Sequence, residues 1–209
     1  VSLAAFKALA ALASSENQLQ LTDLMAETDD PDLVRELQSA LARAASMTED
    51  PEKRSELLLK ALAGDASKEK IIPVLARTGG KEALAYVLKE FEAGQGALRD
   101  ICFETLTSWR DHTASSALFE ILASGNKTFG DRAFNAYVAQ TGSSPLTDEQ
   151  KLLLLKKVIP FATGNDRRNL ILTAAGKLKT YQALFFAAPF LDDPGTSAAA
   201  ARAVMFIAL

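Results

Sequence analysis

Apolar and polar residues recur along this chain with the spacing of amphipathic helices. In the stretch 80–93, four apolar residues stand at positions i, i+3, i+4 and i+7, namely Leu84, Val87, Leu88 and Phe91. Such a stripe covers one face of a helix and leaves the other faces polar. The pattern therefore predicts an amphipathic helix that packs through one side.

A short motif of small and apolar residues returns about every 33 residues. Its central residues are Leu9, Leu41, Leu75, Leu106, Tyr137, Ala175 and Phe206. Between successive copies of the motif lies another helical segment, over 16–28, 51–63, 80–93, 112–123, 147–162 and 180–191. The spacing predicts repeats of two antiparallel helices that stack on their neighbours. The alternative is a helical bundle without repeats whose helices happen to have even lengths.

Residues that begin and end helices stand between these segments. Asp30-Pro31 and Asp50-Pro51 each offer a carboxylate N-cap followed by proline at the first helical position. Thr147 and Gln150 have the spacing of a capping box. Glycines stand where helices should end, at Gly79, Gly80, Gly94, Gly96, Gly125 and Gly164. These signals support the same division into helix pairs.

Composition strengthens the helical prediction. The chain has 37 alanines and 31 leucines but only 14 valines and isoleucines, and strands favour the β-branched residues. With 48% apolar residues the chain is able to bury a core, which argues against disorder. No run approaches the roughly 18 uncharged apolar residues that a membrane span needs, so we expect none.

The repeat resembles the HEAT family in its short bacterial form. Tetratricopeptide and ankyrin signatures are absent, and the spacing varies from 31 to 38 residues. The resemblance implies an all-α fold, a right-handed α-α superhelix of about six or seven helix pairs, in one domain over 1–209. The last residues, 203–209, look like helix without a cap or stop signal, so we expect a fragment of a longer chain.

Six of the predicted helices that carry the motif, the second helices of their pairs, have a cation in or near the first turn. These cations are Arg35, Lys70, Arg99, Arg132, Arg168 and Arg202. This row resembles the basic ladder common in HEAT repeats. It makes Lys70, Arg99, Arg132 and Arg168 the predicted partner-binding face. The alternative is that exposed helix positions simply often hold Lys or Arg.

A second resemblance covers residues of about 97–204. The segments 106–111 (LTSWRD), 131–138 (DRAFNAYV) and 187–194 (AAPFLDDP) are similar to helical-repeat regions of large bacterial exported proteins. Such regions often sit beside a jelly-roll domain of the 3-keto-disaccharide hydrolase family. The resemblance implies an accessory region with no active site of its own, in the periplasm or at the cell surface. A cytoplasmic location stays open.

Residues for catalysis are scarce, because the chain has one histidine and one cysteine. His112 would need Ser115, Ser116 or Cys102 beside it and an acid to orient it. Asp111 is adjacent in sequence, so its side chain points in another direction, and we expect a capping or loop histidine. Cys102 lies in an apolar run and is predicted to be a core residue. No pair of carboxylates stands out for glycoside hydrolysis, so no catalytic residue is predicted.

Metal and cofactor sites are not predicted either. Asp29, Asp30 and Asp32 lack the downstream Gly and Glu of a calcium loop and suit the entry to a helix. The stretch 79–81 (GGK) lacks the spacing of a phosphate-binding loop. Trp109 and Tyr137 fit either a ligand-stacking platform or packing between repeats, of which we favour packing.

Charge is unevenly shared along the chain. Residues 1–104 carry a net charge of −6 and residues 105–209 one of +3, which gives −3 for the whole chain. We therefore predict a non-catalytic protein-interaction or spacer scaffold, whose partner is another protein or a neighbouring domain of the same chain. The alternative, suggested by the basic half, is a nucleic-acid-binding HEAT-like protein, against which the overall negative charge counts.

Overall fold

The computed structural model describes residues 8, 12–64 and 67–209, without the side chains of residues 51 and 52. From residue 18 onward, this part of the chain forms twelve α-helices, joined by turns and short 3₁₀ segments, and it contains no β-strand. The predicted all-α class is therefore confirmed. Within the same described part, no helix combines the length and apolar content that a bilayer span requires.

The first compact unit, Val1–Arg110, contains six of these helices in two layers. They are α1 (Gln18–Glu27), α2 (Pro31–Ser46), α3 (Pro51–Ala63), α4 (Lys68–Thr78), α5 (Lys81–Ala93) and α6 (Gly96–Thr107). Each helix packs against the next one in the chain. In addition, α1, α3 and α5 contact one another in succession, and so do α2, α4 and α6. We call the odd-numbered helices the first helices and the even-numbered ones the second helices.

The second compact unit, Asp111–Leu209, repeats this alternation. Its helices are α7 (Ser115–Ala123), α8 (Gly130–Ser143), α9 (Asp148–Lys157), α10 (Asn165–Ala175), α11 (Tyr181–Ala187) and α12 (Ser197–Ala208). The second helices α8, α10 and α12 contact one another in succession, and α9 contacts α11. The 3₁₀ segments His112–Ala114, Ile159–Phe161 and Ala188–Asp192 extend the first helices of this unit. A fourth, Ser15–Asn17, precedes α1.

The central residues of the predicted repeat lie on the second helices, and most of them are buried. Leu41, Leu75, Leu106 and Ala175 are fully buried, and Tyr137 is nearly so. Leu9 lies outside the described residues. Five of the six described central residues are thus buried.

Phe206 is the exception, because its side chain is 63% exposed. Alanines occupy the buried side of α12 instead, at Ala200 and Ala203. A Cβ atom added to Gly176 would lie 2.9 Å from the Cα atom of Ala203, so α12 and the end of α10 approach closely. That approach leaves no room for a phenyl ring between them, so Phe206 does not share the burial of the other described central residues.

The predicted capping residues act at the helix ends. The Asp30 carboxylate accepts hydrogen bonds from the backbone N–H groups of Asp32, at 2.9 Å, and Leu33, at 3.3 Å. Thr147 and Gln150 form the predicted capping box, with hydrogen bonds of 3.0 and 3.3 Å. Between α4 and α5, Gly79 and Gly80 have φ angles of 75° and 99°, which residues with a Cβ rarely adopt. The local sequence therefore determines where these helices begin and end.

Candidate partner-binding face

Three neighbouring depressions lie on the surface of the second helices α8, α10 and α12. The first, of about 660 Å³, lies at the N-terminal ends of α8 and α10 and is lined by Asp131 and Asn135 among others. The second, of about 360 Å³, runs between α8, at Ala139 and Gly142, and α10, at Thr173. The third, of about 640 Å³, lies between α10 and α12. We call this surface of the second unit the second-helix face.

Small side chains explain why these depressions exist. On α8 the surface positions Asn135, Ala139 and Gly142 follow one another at helical spacing and carry short side chains or none. The larger Leu170, on α10, and the cationic Lys177, in the turn after this helix, lie between the depressions, and each of them lines two of the three. Neighbouring helices pack ridges into grooves, so a row of small residues leaves a groove that another molecule is able to fill.

Two of the four predicted partner-binding cations lie in the first unit. Lys70, in the first turn of α4, places its Nζ atom 2.9 Å from Oδ1 of Asp29 and 3.3 Å from the carbonyl oxygen of Ala26. The Arg99 guanidinium on α6 lies 4.9 Å from the centre of the Phe91 ring, within range of a cation–π interaction. Both cations thus connect helices of their own unit.

The other two predicted cations lie in the second unit. Arg168, on α10, pairs with Asp193 at 3.4 Å, which ties the helix to the loop before α12. Arg132 is exposed in the first turn of α8. The structure therefore places Lys70 and Arg99 in one unit and Arg132 and Arg168 in the other. Their role as a partner-binding face stays a prediction.

Arg167 makes contacts between helices that the sequence did not predict. Its guanidinium lies 4.8 Å from the centre of the Phe134 ring and pairs with the Asp131 carboxylate. Its Nη1 atom also donates a hydrogen bond of 2.6 Å to the carbonyl oxygen of Phe161. Arg167 thereby connects α10 with α8 and with the 3₁₀ segment after α9. A pair of adjacent arginines carries no signal that tells which of the two turns inward.

The first unit contains an ion pair, between Lys68 and Glu90, that the sequence did not predict either. Lys68 Nζ lies 2.9 and 3.0 Å from the two carboxylate oxygens of Glu90, and the Glu90 side chain is only 13% exposed. The hydrogen bond that Lys68 donates to the Glu90 carboxylate raises the pKa of Lys68 above its ordinary value. The pair joins α4 to α5 across 22 residues of sequence, a distance at which no local pattern reveals it.

The candidate catalytic residues make hydrogen bonds with other partners. His112 begins the 3₁₀ turn before α7, which agrees with the predicted loop position. The Asp111 carboxylate accepts a hydrogen bond of 2.9 Å from the backbone N–H of Thr113. The Ser115 hydroxyl donates to Oε1 of Gln140 at 3.2 Å. A triad requires an acid that orients the imidazole and a serine that gives it a proton, whereas these hydrogen bonds join Asp111 to Thr113 and Ser115 to Gln140.

The two residues considered as a ligand-stacking platform are part of the core. Trp109 is 4% exposed and Tyr137 is 2% exposed. The Tyr137 hydroxyl donates a hydrogen bond of 3.3 Å to the carbonyl oxygen of Leu154, and its ring lies 5.8 Å from that of Phe119. Tyr137 therefore packs α8 against both neighbouring first helices, as the packing interpretation predicts.

Cys102 is fully buried, as predicted. Burial, with a smaller contribution from the Glu90 carboxylate, raises the pKa of its thiol to about 11. We expect the native chain at pH 8 to react with a thiol reagent much more slowly than the unfolded chain, because the thiolate is the reactive form. Ellman's reagent with and without urea measures both rates.

The same burial makes stability depend on pH in the alkaline range. The pKa of Cys102 is higher in the folded chain than its ordinary value of 9.0, so the folded state binds more protons there. The free energy of unfolding should therefore decrease as the pH rises from about 9 to about 11. Burial also raises the pKa of Tyr86 and of Tyr137, which acts in the same direction. A Cys102→Ala chain should lose less stability over this range, and an equal loss would contradict the assignment.

The acidic residues near the start of α2 serve the fold. Asp30 caps the helix, Asp29 pairs with Lys70, and Asp32 pairs with Arg35 at 3.5 Å. Among the residues that the structure describes, no three His, Cys, Asp or Glu side chains come together as a metal site requires. Comparison with known proteins finds no matching family model, no matching curated protein and no matching solved structure.

Proposed function

We propose that this chain is a HEAT-like, right-handed α-helical solenoid that acts as a non-catalytic protein-interaction or spacer scaffold. The observation that carries the proposal is the row of grooves on the second-helix face, lined by α8, α10 and α12. In solenoids of helix pairs, the second helices line an extended surface that binds partners. The alternation of two helix layers in each unit, and the buried repeat positions on the second helices, support the same proposal.

The contacts of the candidate catalytic residues support a role without chemistry. Asp111 and Ser115 bond to residues other than His112, and Cys102 is buried with a raised pKa. Such a thiol is a poor nucleophile, because little of it is ionised near neutral pH. The two arrangements in which this chain would have activated a serine or a cysteine are therefore disfavoured.

The resemblance of the second half to repeat regions of exported bacterial proteins supports a more specific form of the proposal. In that form the chain is an accessory region of a larger exported, carbohydrate-related protein. Its surface then holds a neighbouring domain of the same polypeptide or a separate protein, in the periplasm or at the cell surface.

Site-specific photocrosslinking in the source cells tests the scaffold function. A photoreactive residue at Ala139 lies in the groove between α8 and α10, and we expect it to give a defined crosslinked product. The matched control carries the same residue at Leu153, which is 66% exposed on the first helix α9. Binding through the second-helix face predicts a strong product from Ala139 and little from Leu153.

Mass spectrometry of the product separates the two forms of the proposal. Crosslinked peptides from the same gene product indicate an accessory region or spacer, whereas peptides from another protein indicate a free scaffold. Equal products from both positions, or no product from either, would contradict a role for the second-helix face.

A further inference from the structure

The groove between α10 and α12 combines an apolar floor with a cationic edge. Leu172, Gly176 and Ala203 are buried and form part of the floor. The side chain of Phe206 stands beside this floor and is 63% exposed. Large apolar side chains that are exposed next to an apolar depression mark surfaces that bind another molecule.

Three cations line the same groove, and no acidic residue does. They are Lys177, Lys179 and Arg202. Lys179 Nζ donates to the carbonyl oxygen of Phe206 at 2.6 Å, and Arg202 Nε donates to that of Ala198 at 3.2 Å. Both acceptors are uncharged, so these hydrogen bonds leave the positive charges without a compensating negative one.

One carboxylate lies close to this edge. Asp148 accepts a hydrogen bond of 2.8 Å from the backbone N–H of Lys179. In the part of the chain that the structure describes, however, no carboxylate lies within ion-pair distance of the side-chain nitrogens of Lys177, Lys179 or Arg202. The groove is therefore electropositive as well as apolar, and a complementary molecule is anionic and apolar.

The length of the groove indicates the shape of its occupant. It extends from Leu172 on α10 through the turn after that helix to Lys179, and along α12 for seven residues, from Ala199 to Phe206. At a rise of 1.5 Å per residue this is about 10 Å, or two turns of a helix. Two turns present a pair of apolar side chains at positions i and i+4, which is how amphipathic helices bind in grooves.

From these features we infer that the α10–α12 groove binds an acidic amphipathic helix of a partner protein. Two aliphatic side chains of that helix pack on the floor and against Phe206. Its flanking carboxylates pair with Lys177, Lys179 and Arg202. This inference rests on the proposed scaffold function, and it adds the site and the chemistry of the partner.

Fluorescence anisotropy with the 209-residue chain tests the inference. The probe is a labelled helical peptide of about 15 residues, with Leu at positions i and i+4 and Glu on the flanks. A second peptide has Lys in place of Glu, and a third keeps Glu but has Ser in place of Leu. We expect only the first peptide to bind strongly, at roughly 50 mM salt, where charge attraction is little screened.

Variants of the groove locate the binding site. The double substitution Lys177→Glu with Arg202→Glu changes two exposed side chains, and we expect at least about a tenfold loss of affinity. Phe206→Ser should cost about tenfold as well, because it removes the exposed apolar contact. The matched control, Lys127→Glu with Lys151→Glu, makes the same change in net charge outside the groove and should bind normally. Circular dichroism checks that each variant is folded.

Several results would overturn the inference. Equal binding of the Ser-containing peptide would show that charge attraction alone accounts for binding. Equal binding of the Lys-containing peptide would show that the cations of the groove do not select an acidic partner. Tighter binding of a DNA duplex through the same residues would favour nucleic acid as the ligand. No binding of the acidic peptide, together with crosslinking at Ala139, would refute the groove inference and leave the scaffold function standing.

Discussion

Leu106→Asp is expected to lower the free energy of unfolding by at least about 4 kcal/mol, because it places an unpaired carboxyl group where the apolar side chain is completely buried. Leu106 lies on α6, which packs against both α4 and α5, and it has no exposed surface. The new group must either stay charged in an apolar environment or take up a proton and leave its hydroxyl buried. Urea unfolding followed by circular dichroism measures the loss.

Leu19→Asp is the matched control for this substitution. Leu19 lies on α1 in the same unit and is 63% exposed, so the same chemical change should alter the stability by no more than about 0.5 kcal/mol. Equal stability of the Leu106→Asp chain and the original chain would show that the second helices do not bury the central residues of the repeat.

Tyr137→Ala is expected to cost roughly 3–5 kcal/mol, since it removes a buried aromatic ring and leaves a cavity. Tyr137 is the corresponding residue on α8, where it is 2% exposed and contacts Phe119. This substitution therefore tests in the second unit what Leu106→Asp tests in the first. The midpoint and slope of a urea unfolding curve give the loss.

Two further variants accompany this test: one separates the hydroxyl of Tyr137 from its ring, and the other is a control at an exposed tyrosine. Tyr137→Phe keeps the ring and removes the hydroxyl group that donates to Leu154, which should cost about 1 kcal/mol. Tyr181→Ala truncates a tyrosine that is 83% exposed and should change stability by no more than about 0.5 kcal/mol. If Tyr137→Ala and Tyr181→Ala had the same effect, the packing role of Tyr137 would be wrong.

The sequence predicted most first helices within a few residues. The segments 51–63 and 80–93 correspond to α3 (Pro51–Ala63) and α5 (Lys81–Ala93). The stretch 147–162, in contrast, is α9 followed by the 3₁₀ segment Ile159–Phe161. The stretch 180–191 is likewise α11 followed by a 3₁₀ segment that begins at Ala188. Pro160 lies in the first of these 3₁₀ segments and Pro189 in the second, and proline lacks the N–H group that a continuing α-helix needs.

The candidate site was only partly predictable. That the second helices carry the binding surface stays a prediction, and the grooves described above lie on three of them, α8, α10 and α12. The choice of individual cations followed their position in the first turn, and it named Arg168 where Arg167 makes the contacts between helices. Adjacent positions on a helix point about 100° apart, and only the neighbouring helices determine which direction is inward.

The sequence by itself determined the all-α class, the alternation of two kinds of helix and most of the helix ends, because capping residues, glycines and the apolar period act over a few residues. Only the tertiary structure decided that Phe206 is exposed and that the groove beside it is lined by apolar and cationic side chains. These features depend on how closely α12 approaches Gly176. That distance is set by packing between segments almost thirty residues apart, which no local pattern in the sequence encodes.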